Sequence, residues 1–338
     1  MEKKLFIITN ESIYPKNNEG FFCDNIDLKS IPEGLNNYTE INVIGRLSKK
    51  QRSKKIELKN VYTCKNIFGY LFFIFKKIIR EDAKYLIISL SPYTFLASLL
   101  LKLFSKTHYI YLRSDGYEEY KAIFGNLGKF IYHLIFTFSS TKAKLIACRR
   151  HLLRNKLGEI VSPSQLNDKW ITNHKKINLK KIKLLYVGRL RVEKGIFSLI
   201  KMLQSSALNL TIVTSEKNRK LRDISKNINL ISFENYNDEI IKFYDEHNIF
   251  VLPSFTEAHP QVLDEALARL RPVIIFKEIE HVKRNREGVF ICDRNLESLE
   301  KKISLIIKDY PQIVDKIKTN ILPTKKSFIN QLKKIILE

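Results

Sequence analysis

The sequence predicts an α/β protein of two Rossmann-like domains, each built on a doubly wound parallel sheet. Short apolar runs alternate with longer segments whose apolar residues recur at helical spacing, and this alternation occurs twice along the 338 residues. Strands that alternate with helices pair in parallel. A turn-rich stretch at 161–181 separates the two series. We therefore expect domains over 1–165 and 166–320, facing each other across a cleft, and a terminal helix over 321–338 that packs toward the first domain.

Each predicted element follows from the spacing of its apolar residues. In the first domain we predict strands at 5–9, 40–44, 85–90, 108–113 and 144–147, and helices at 20–31, 67–80, 94–104 and 127–138. In the second we predict strands at 182–187, 208–214, 228–233, 249–252 and 273–276, a helix at 239–246, and a further helix that contains Glu265. The most apolar segment, 85–101, is divided by Ser89, Ser91 and Pro92, whereas a membrane-spanning helix needs about 20 unbroken apolar residues.

Composition and charge exclude some classes of protein and favour others. The four cysteines are scattered without a CxxC pair, which argues against a zinc site and a disulfide framework and favours a reducing, cytosolic setting. The first residues start a strand and predict no signal peptide. The net charge of +24 is concentrated at 46–59 and 142–183. Such surfaces attract anionic lipid, nucleic acid or acidic substrates, although a lysine-rich composition would also produce them.

The most informative segment contains Glu257 and Glu265, eight residues apart. An apolar strand precedes this segment and a helical pattern follows it, which is the arrangement that presents backbone N–H groups to an anion. Glu257 is expected in the turn, and Glu265 about a turn and a half into the helix. A helix start favours phosphate, and carboxylates accept hydrogen bonds from hydroxyls. Phosphate together with hydroxyls describes a nucleotide sugar.

A second segment supplies positive charge where another strand ends. The strand that ends at Gly188 is followed by Arg189, Lys194 and Gly195. Two cations suit a diphosphate whose departure must be neutralised, and glycine lets the backbone approach a ligand closely. Taken alone, this is an ordinary strand–turn–helix; together with the Glu257 segment it indicates a donor site.

The two segments, Val-Gly-Arg-Leu-x-x-Glu-Lys-Gly and Pro-Ser-Phe-Thr-Glu-(x)7-Glu-Ala-Leu-Ala, resemble those of the retaining glycosyltransferases of family 4, which have the GT-B architecture. The resemblance is specific over about residues 182–292 and loose over 1–165. It implies that Arg189 and Lys194 hold the donor diphosphate, that Glu257 contacts the transferred sugar, and that Glu265 accepts from ribose hydroxyls. The remaining donor-binding residues that it implies are Gly188, Ala258, His259, Gln261 and Val262, with Phe233 and Tyr236 near the base.

On the acceptor side the resemblance points to residues that follow strands of the first domain. Asp115, after the strand at 108–113, would orient an acceptor hydroxyl as a catalytic residue, with Arg113 beside it; the alternative is a helix cap. Arg149 would reach an anionic acceptor, or would simply belong to a solvated basic face. Gly20 lies in the first loop, where relatives carry two glycines. Pro260 lacks an N–H group and is expected to start the helix at position N1.

The resemblance implies a retaining glycosyltransferase that needs no metal and no cofactor besides its nucleotide-sugar co-substrate. A growing glycan or lipid-linked acceptor, in envelope polysaccharide, lipopolysaccharide or capsule synthesis, fits the basic charge. The apolar helices at 67–80 and 127–138 have basic flanks. They are either core helices or a surface that contacts anionic membrane, which would place the protein on the cytoplasmic face of the inner membrane. Alternatives are a nucleotide-sugar 2-epimerase of the same architecture and a basic nucleic-acid-binding protein, although no nucleic-acid-binding motif occurs. A dehydrogenase is disfavoured because no GxGxxG follows an early strand.

Overall fold

The computed structural model describes residues 4–216, 225–232 and 238–338, which form two compact α/β units. The first unit comprises Met1–Ser162 and Lys326–Glu338, and the second comprises Pro163–Lys325. The chain thus passes into the second unit within the turn-rich stretch, and its last helix returns to the first unit. Phe328, Leu332 and Ile336 of that helix are buried in the core of the first unit.

The first unit is built on a nine-stranded sheet, as far as the described residues show. Its strands are β1 (Lys4–Lys16), β2 (Gly20–Cys23), β3 (Ile41–Leu47), β4 (Lys54–Ile56), β5 (Val61–Cys64), β6 (Ala83–Ile88), β7 (His108–Leu112), β8 (Lys144–Ala147) and β9 (Gly158–Ile160). Its helices are α1 (Ile26–Leu35), α2 (Ile67–Arg80), α3 (Pro92–Leu103) and α4 (Gly116–Ser140). Pairing is parallel except where β2 lies between β1 and β4.

The predicted helix at 20–31 is wrong in its first part. Gly20–Cys23 instead forms β2, which pairs antiparallel with the end of β1. Asn18 and Gly20 adopt φ values of 60° and 104°, and such turn residues reverse the chain into a hairpin. Helix α1 begins only after Asn25, whose side chain caps it by accepting from the Asp27 N–H.

The second unit contains a fully parallel six-stranded sheet in the order β12-β11-β10-β13-β14-β15 within the described residues. These strands are β10 (Lys183–Val187), β11 (Asn209–Thr214), β12 (Ile228–Ser232), β13 (Ile249–Leu252), β14 (Val273–Phe276) and β15 (Val289–Cys292). The helices from here to the end of the chain are α5 (Asp168–Ile171), α6 (Ile196–Leu203), α7 (Ile241–Glu246), α8 (Gln261–Ala268), α9 (Leu296–Lys308), α10 (Tyr310–Ile317) and α11 (Lys325–Ile336). Near-continuous apolar strands such as β13 and β14 are buried on both faces, as parallel sheets require.

Across residues 4–216, 225–232 and 238–338, no helix combines the length and hydropathy needed to cross a membrane. The segment 85–101 divides as predicted into the end of β6 and the start of α3, and Ser91 caps α3 by accepting from the Thr94 N–H.

Candidate functional site

The site of the second unit lies where two adjacent parallel strands end. Strands β10 and β13 are hydrogen-bonded neighbours, so the loops that follow them leave the same edge of the sheet. One loop, residues 188–195, carries the predicted cations; the other, residues 253–260, carries Glu257. Ligands of open α/β sheets bind at this edge.

The two loops are fastened to each other through their backbones. The Phe255 N–H donates to the Glu193 carbonyl at 2.9 Å. Gly195 has a φ of +64°, and a Cβ atom there would lie 1.8 Å from the Pro253 carbonyl oxygen. Glycine is therefore required at 195 by both conformation and space. The Gly195 of the first motif thus holds the cation loop against the carboxylate loop.

An ion pair joins the first motif to the second. Lys194 Nζ lies 2.6 Å from Glu257 Oε1, and the Ser254 hydroxyl donates to the same oxygen at 2.7 Å. The Glu257 side chain is only 10% exposed. Two donors on one oxygen, at low exposure, fix the position of the Glu257 carboxylate.

Arg189 is linked to the Lys194–Glu257 pair through Tyr186. The Tyr186 hydroxyl donates to the Arg189 carbonyl at 2.8 Å. Burial raises the pKa of Tyr186, the Glu257 carboxylate raises it further, and the Arg189 guanidinium opposes both. The charges of Arg189 and Glu257 thus act on one hydroxyl. A Cβ on Gly188 would lie 2.6 Å from that hydroxyl, so glycine makes room for it.

Glu265 is the fifth residue of α8 and is buried. The Tyr244 hydroxyl donates to its Oε2 at 2.7 Å, so its hydrogen bond is to α7 rather than to the Lys194–Glu257 pair. Burial, with a smaller contribution from the charge of Asp264, raises the pKa of Glu265 to about 7, against the opposing effect of the Tyr244 hydrogen bond. A carboxyl group that titrates near neutrality can change its hydrogen-bonding role there.

The raised pKa of Glu265 makes stability depend on pH. The folded chain holds this proton more tightly than the unfolded chain, so the free energy of unfolding should fall as pH rises from about 4.5 to about 7. Glu265→Gln should remove that part of the decline, because an amide keeps the Tyr244 hydrogen bond without ionising. Urea unfolding over this range measures it, with Glu246→Gln on exposed α7 surface as control. An unchanged decline in Glu265→Gln would assign the titration to another group.

The turn between Glu257 and α8 contains the remaining predicted residues of the second motif. The His259 side chain is almost fully buried, with Nε2 3.4 Å from Asp264 Oδ2, and Asp264 is paired in turn with Arg286 at 2.7 Å. Ala258, Gln261 and Val262 are half-buried around the helix start. Pro260 is the N-cap of α8, one position before the predicted N1, because its ψ of 102° is extended. Phe233 and Tyr236 lie outside the described residues.

Three further residues at this edge belong to no sequence motif, and the sequence did not predict them as site residues. Arg294, after β15, donates to Glu278 Oε1 at 2.6 Å and to the Ser254 carbonyl at 3.3 Å, and its guanidinium lies 4.2 Å from the Phe255 ring centroid. His281 contacts the Glu257 carbonyl through Nε2 at 2.9 Å. These three residues, Glu278, Arg294 and His281, follow β14 and β15. Ligands bind beyond the carboxyl ends of the strands, so an inspection of the residues that follow every strand would have found them.

The predicted acceptor side lies in the first unit, beside a polar cavity of ≈ 390 Å³. Arg113 lines the cavity and donates to Glu11 Oε1 and Ser89 Oγ, each at 3.0 Å, and lies 3.4 Å from Asp27 Oδ2. The cavity walls also carry Asp24, Arg46, Arg52, Ser114, Glu119 and Tyr120. Paired charges and hydroxyls suit a hydroxyl-rich ligand.

The other predicted acceptor-side residues have structural contacts of their own. Asp115 is the N-cap of α4 and accepts from the Tyr117 N–H at 3.0 Å, and Arg154 donates to both of its carboxylate oxygens. The helix-cap alternative therefore describes its contacts in this structure. Arg149 precedes a 3-10 helix at Arg150–Leu153, and Gly20 opens β2.

Within the described ranges, no three His, Cys, Asp or Glu side chains converge as a metal site requires.

Comparison with solved structures defines the class of fold. The chain is similar to sucrose-phosphate synthase from Thermosynechococcus elongatus, with a TM-score of 0.71 and 14% identity over 98% of each chain. It is also similar to WaaG, a glycosyltransferase involved in lipopolysaccharide biosynthesis, with a TM-score of 0.66 and 16% identity over 98% of this chain and 99% of that one. The predicted GT-B fold of two Rossmann-like domains is confirmed.

Sequence comparison points to the same part of the chain. Residues 168–321, which make up most of the second unit, match the family model of glycosyl transferases group 1. An uncharacterized glycosyltransferase of Haemophilus influenzae is 29% identical over 192 residues, 52% of this chain and 53% of that one. The capsular polysaccharide biosynthesis glycosyltransferase CapM of Staphylococcus aureus is 29% identical over 138 residues, 37% of this chain and 36% of that one. The chain thus spans about half the length of the first relative and about a third of the second. Membership of family 4 and retention stay predictions.

Proposed function

We propose that this chain transfers a sugar from a nucleotide-sugar donor to a hydroxyl of a glycan or lipid-linked acceptor, with retention at the anomeric carbon and without a metal ion. The observation that carries this proposal is the Lys194–Glu257 ion pair, which joins both motifs at one sheet edge of the group 1 domain. The relatives in lipopolysaccharide and capsule synthesis support an envelope glycan as acceptor. We further propose that the protein works at the cytoplasmic face of the inner membrane.

In the proposed reaction the donor diphosphate lies against Arg189 and Lys194, beside the N–H groups of the turn before α8. The bond between the anomeric carbon and the phosphate oxygen breaks, and its electron pair leaves with the diphosphate. Positive side chains and backbone N–H groups offset that developing charge, which is the role a metal ion fills in other sites. Arg294, whose guanidinium lies above Phe255, adds a third cation beside the loop.

The acceptor oxygen forms the new bond on the face that the diphosphate leaves, and the hydroxyl proton passes to the departing phosphate oxygen. Retention follows because the bond forms and breaks on one face. Glu257, held by Lys194 and Ser254, positions the sugar and stabilises positive charge at its reacting carbon. Glu265 accepts from the ribose hydroxyls. The polar cavity beside Arg113 binds the acceptor.

A panel of nucleotide sugars tests this proposal. The correct donor should raise the melting temperature, since a ligand at 100 times its Kd adds about 2.7 kcal/mol of stability. With that donor, nucleoside diphosphate should be released in the presence of acceptor glycan, EDTA should leave the rate unchanged, and NMR should show retained configuration. Formation of a C2-epimerised sugar nucleotide without acceptor would replace transfer by the epimerase alternative. Loss of activity in EDTA, restored by a divalent ion, would contradict the metal-free part.

A further inference from the structure

Helix α4 is in fact a helical hairpin. The Tyr117 ring centroid lies 4.9 Å from that of Tyr132, and the Tyr117 hydroxyl lies 3.0 Å from His133 Nδ1. In a straight helix, fifteen residues at 1.5 Å each would place residues 117 and 132 about 22 Å apart. The chain reverses at Gly125, whose φ of 63° and ψ of −149° are not helical. The hairpin has its base at Gly116 and its tip at 121–131.

The hairpin tip is apolar and exposed. Large apolar side chains project from it with exposures of 68% at Ile123, 60% at Phe124, 65% at Leu127 and 59% at Phe130. Lys121 and Lys129 are exposed among them. No acidic residue occurs anywhere in the sequence from Lys121 to Gly158. Contiguous exposed apolar side chains on this scale mark an interaction surface.

The apolar and basic character continues onto the neighbouring helices. Helix α3 packs against both α2 and α4. On α2 the exposed apolar residues are spaced at helical intervals and lie along one stripe: Phe68, Phe72, Phe75 and Ile79. Neither α2 nor α3 contains an acidic residue, and α3 carries Lys102. On α2, Lys76 and Arg80 are exposed, whereas Lys77 pairs at 2.9 Å with Glu81, which follows the helix.

We propose that the hairpin tip of α4, with the stripe of α2, docks the first unit on the surface of an anionic lipid bilayer. An interfacial segment buries its apolar face at the boundary between headgroups and acyl chains, and flanking lysines contact anionic headgroups. A second copy of the chain fits this surface poorly, because its lysines would face the same lysines. The surface is therefore complementary to anionic lipid in both charge and polarity.

The base of the same hairpin lines the polar cavity. Gly116, Glu119, Tyr120 and Tyr132 all contribute to its wall. Docking of the tip therefore brings the cavity close to the membrane, which suits an acceptor hydroxyl carried on a lipid. This consequence for the acceptor rests on the proposed sugar transfer, whereas the docking itself does not.

Vesicle sedimentation tests the docking. The wild-type chain should bind phosphatidylcholine vesicles that contain phosphatidylglycerol and bind pure phosphatidylcholine vesicles more weakly. Phe124→Ser combined with Leu127→Ser should lower the partition coefficient about tenfold or more, because two exposed apolar side chains no longer enter the bilayer. The matched control is Leu157→Ser with Ile321→Ser, whose side chains are 96% and 101% exposed outside this surface. Lys121→Glu with Lys129→Glu should remove the preference for phosphatidylglycerol.

Equal vesicle binding by the tip variant and the wild type would overturn the proposal, as would a wild-type chain that binds neither vesicle. Sedimentation velocity without lipid can also contradict the proposal. If the wild type is a dimer and the Phe124→Ser, Leu127→Ser variant is a monomer, the surface binds a second copy of the chain. Nucleoside diphosphate binding should be unchanged in the tip variant, because the substituted residues lie in the first unit and the proposed nucleotide site lies in the second. A chain that binds vesicles through the tip but binds no nucleotide would retain the docking and contradict the proposed function.

Discussion

Glu257→Gln is expected to lower the turnover of sugar transfer about 100-fold or more, the scale at which removing one preorganised electrostatic group acts on catalysis. Glutamine keeps an oxygen that can accept from Lys194 and Ser254, whose donors lie 2.6 and 2.7 Å from Glu257 Oε1. The loop should therefore stay in place while the negative charge is lost. The initial rate of product formation at saturating donor measures the effect.

The matched control for this variant is Glu193→Gln. Glu193 lies in the facing loop with an exposed side chain, and only its backbone carbonyl takes part in fastening the loops, by accepting from the Phe255 N–H. Its variant should transfer at the wild-type rate. Full turnover by Glu257→Gln, with an unchanged melting temperature, would remove Glu257 from the chemistry.

Arg269→Met is expected to cost about 3–5 kcal/mol of unfolding free energy. Arg269 is 1% exposed at the end of α8. It donates to both carboxylate oxygens of Asp245 at 2.9 and 3.0 Å, and to four backbone carbonyls within 169–173. Its loss would leave Asp245 buried with Arg271 as its remaining ion-pair partner, at 3.5 Å. Urea denaturation, followed through the unfolding transition of the second unit, measures this loss of unfolding free energy.

Two further variants identify the cause of that loss. Arg191→Met removes an arginine that is 59% exposed and should change stability by less than about 0.5 kcal/mol. Arg269→Met combined with Asp245→Leu should recover part of the loss, because the buried Asp245 carboxylate is removed as well. The recovery should be incomplete, because Arg271, which is 3% exposed, then loses its carboxylate partner. A single Arg269→Met variant as stable as the wild type would show that these hydrogen bonds contribute nothing net.

The α/β fold could be predicted because buried parallel strands leave a direct trace in sequence. The runs at 249–252 and 273–276 coincide with β13 and β14, and the helix at 67–80 coincides with α2. The β1–β2 hairpin was not predictable in the same way, since residues 20–23 fit the start of an amphipathic helix. The φ values of Asn18 and Gly20 settle the outcome there, and apolar periodicity does not report them.

The candidate site was predictable to the extent that motifs mark it. The approach of Lys194 to Glu257 was expected from two motifs at strand ends, and the structure places them 2.6 Å apart. Arg294 belongs to no motif, and its position above Phe255 depends on how β15 packs. Asp115 shows a different limit, because aspartate suits both a helix cap and an acceptor site; sequence alone could not choose between them, and the structure supplies the cap contacts.

We propose that the Arg189–Lys194 loop and the Glu257–Glu265 segment form one nucleotide-sugar site. Calorimetric titration of nucleoside diphosphates into Arg189→Ala and Lys194→Met tests this proposal, with Lys176→Ala as an exposed control. We predict that the nucleotide bound by the wild type binds each of the two variants about tenfold or more weakly, since charge-assisted contacts are worth about 1.5–3 kcal/mol. Equal affinity in wild type, both variants and control would contradict the claim.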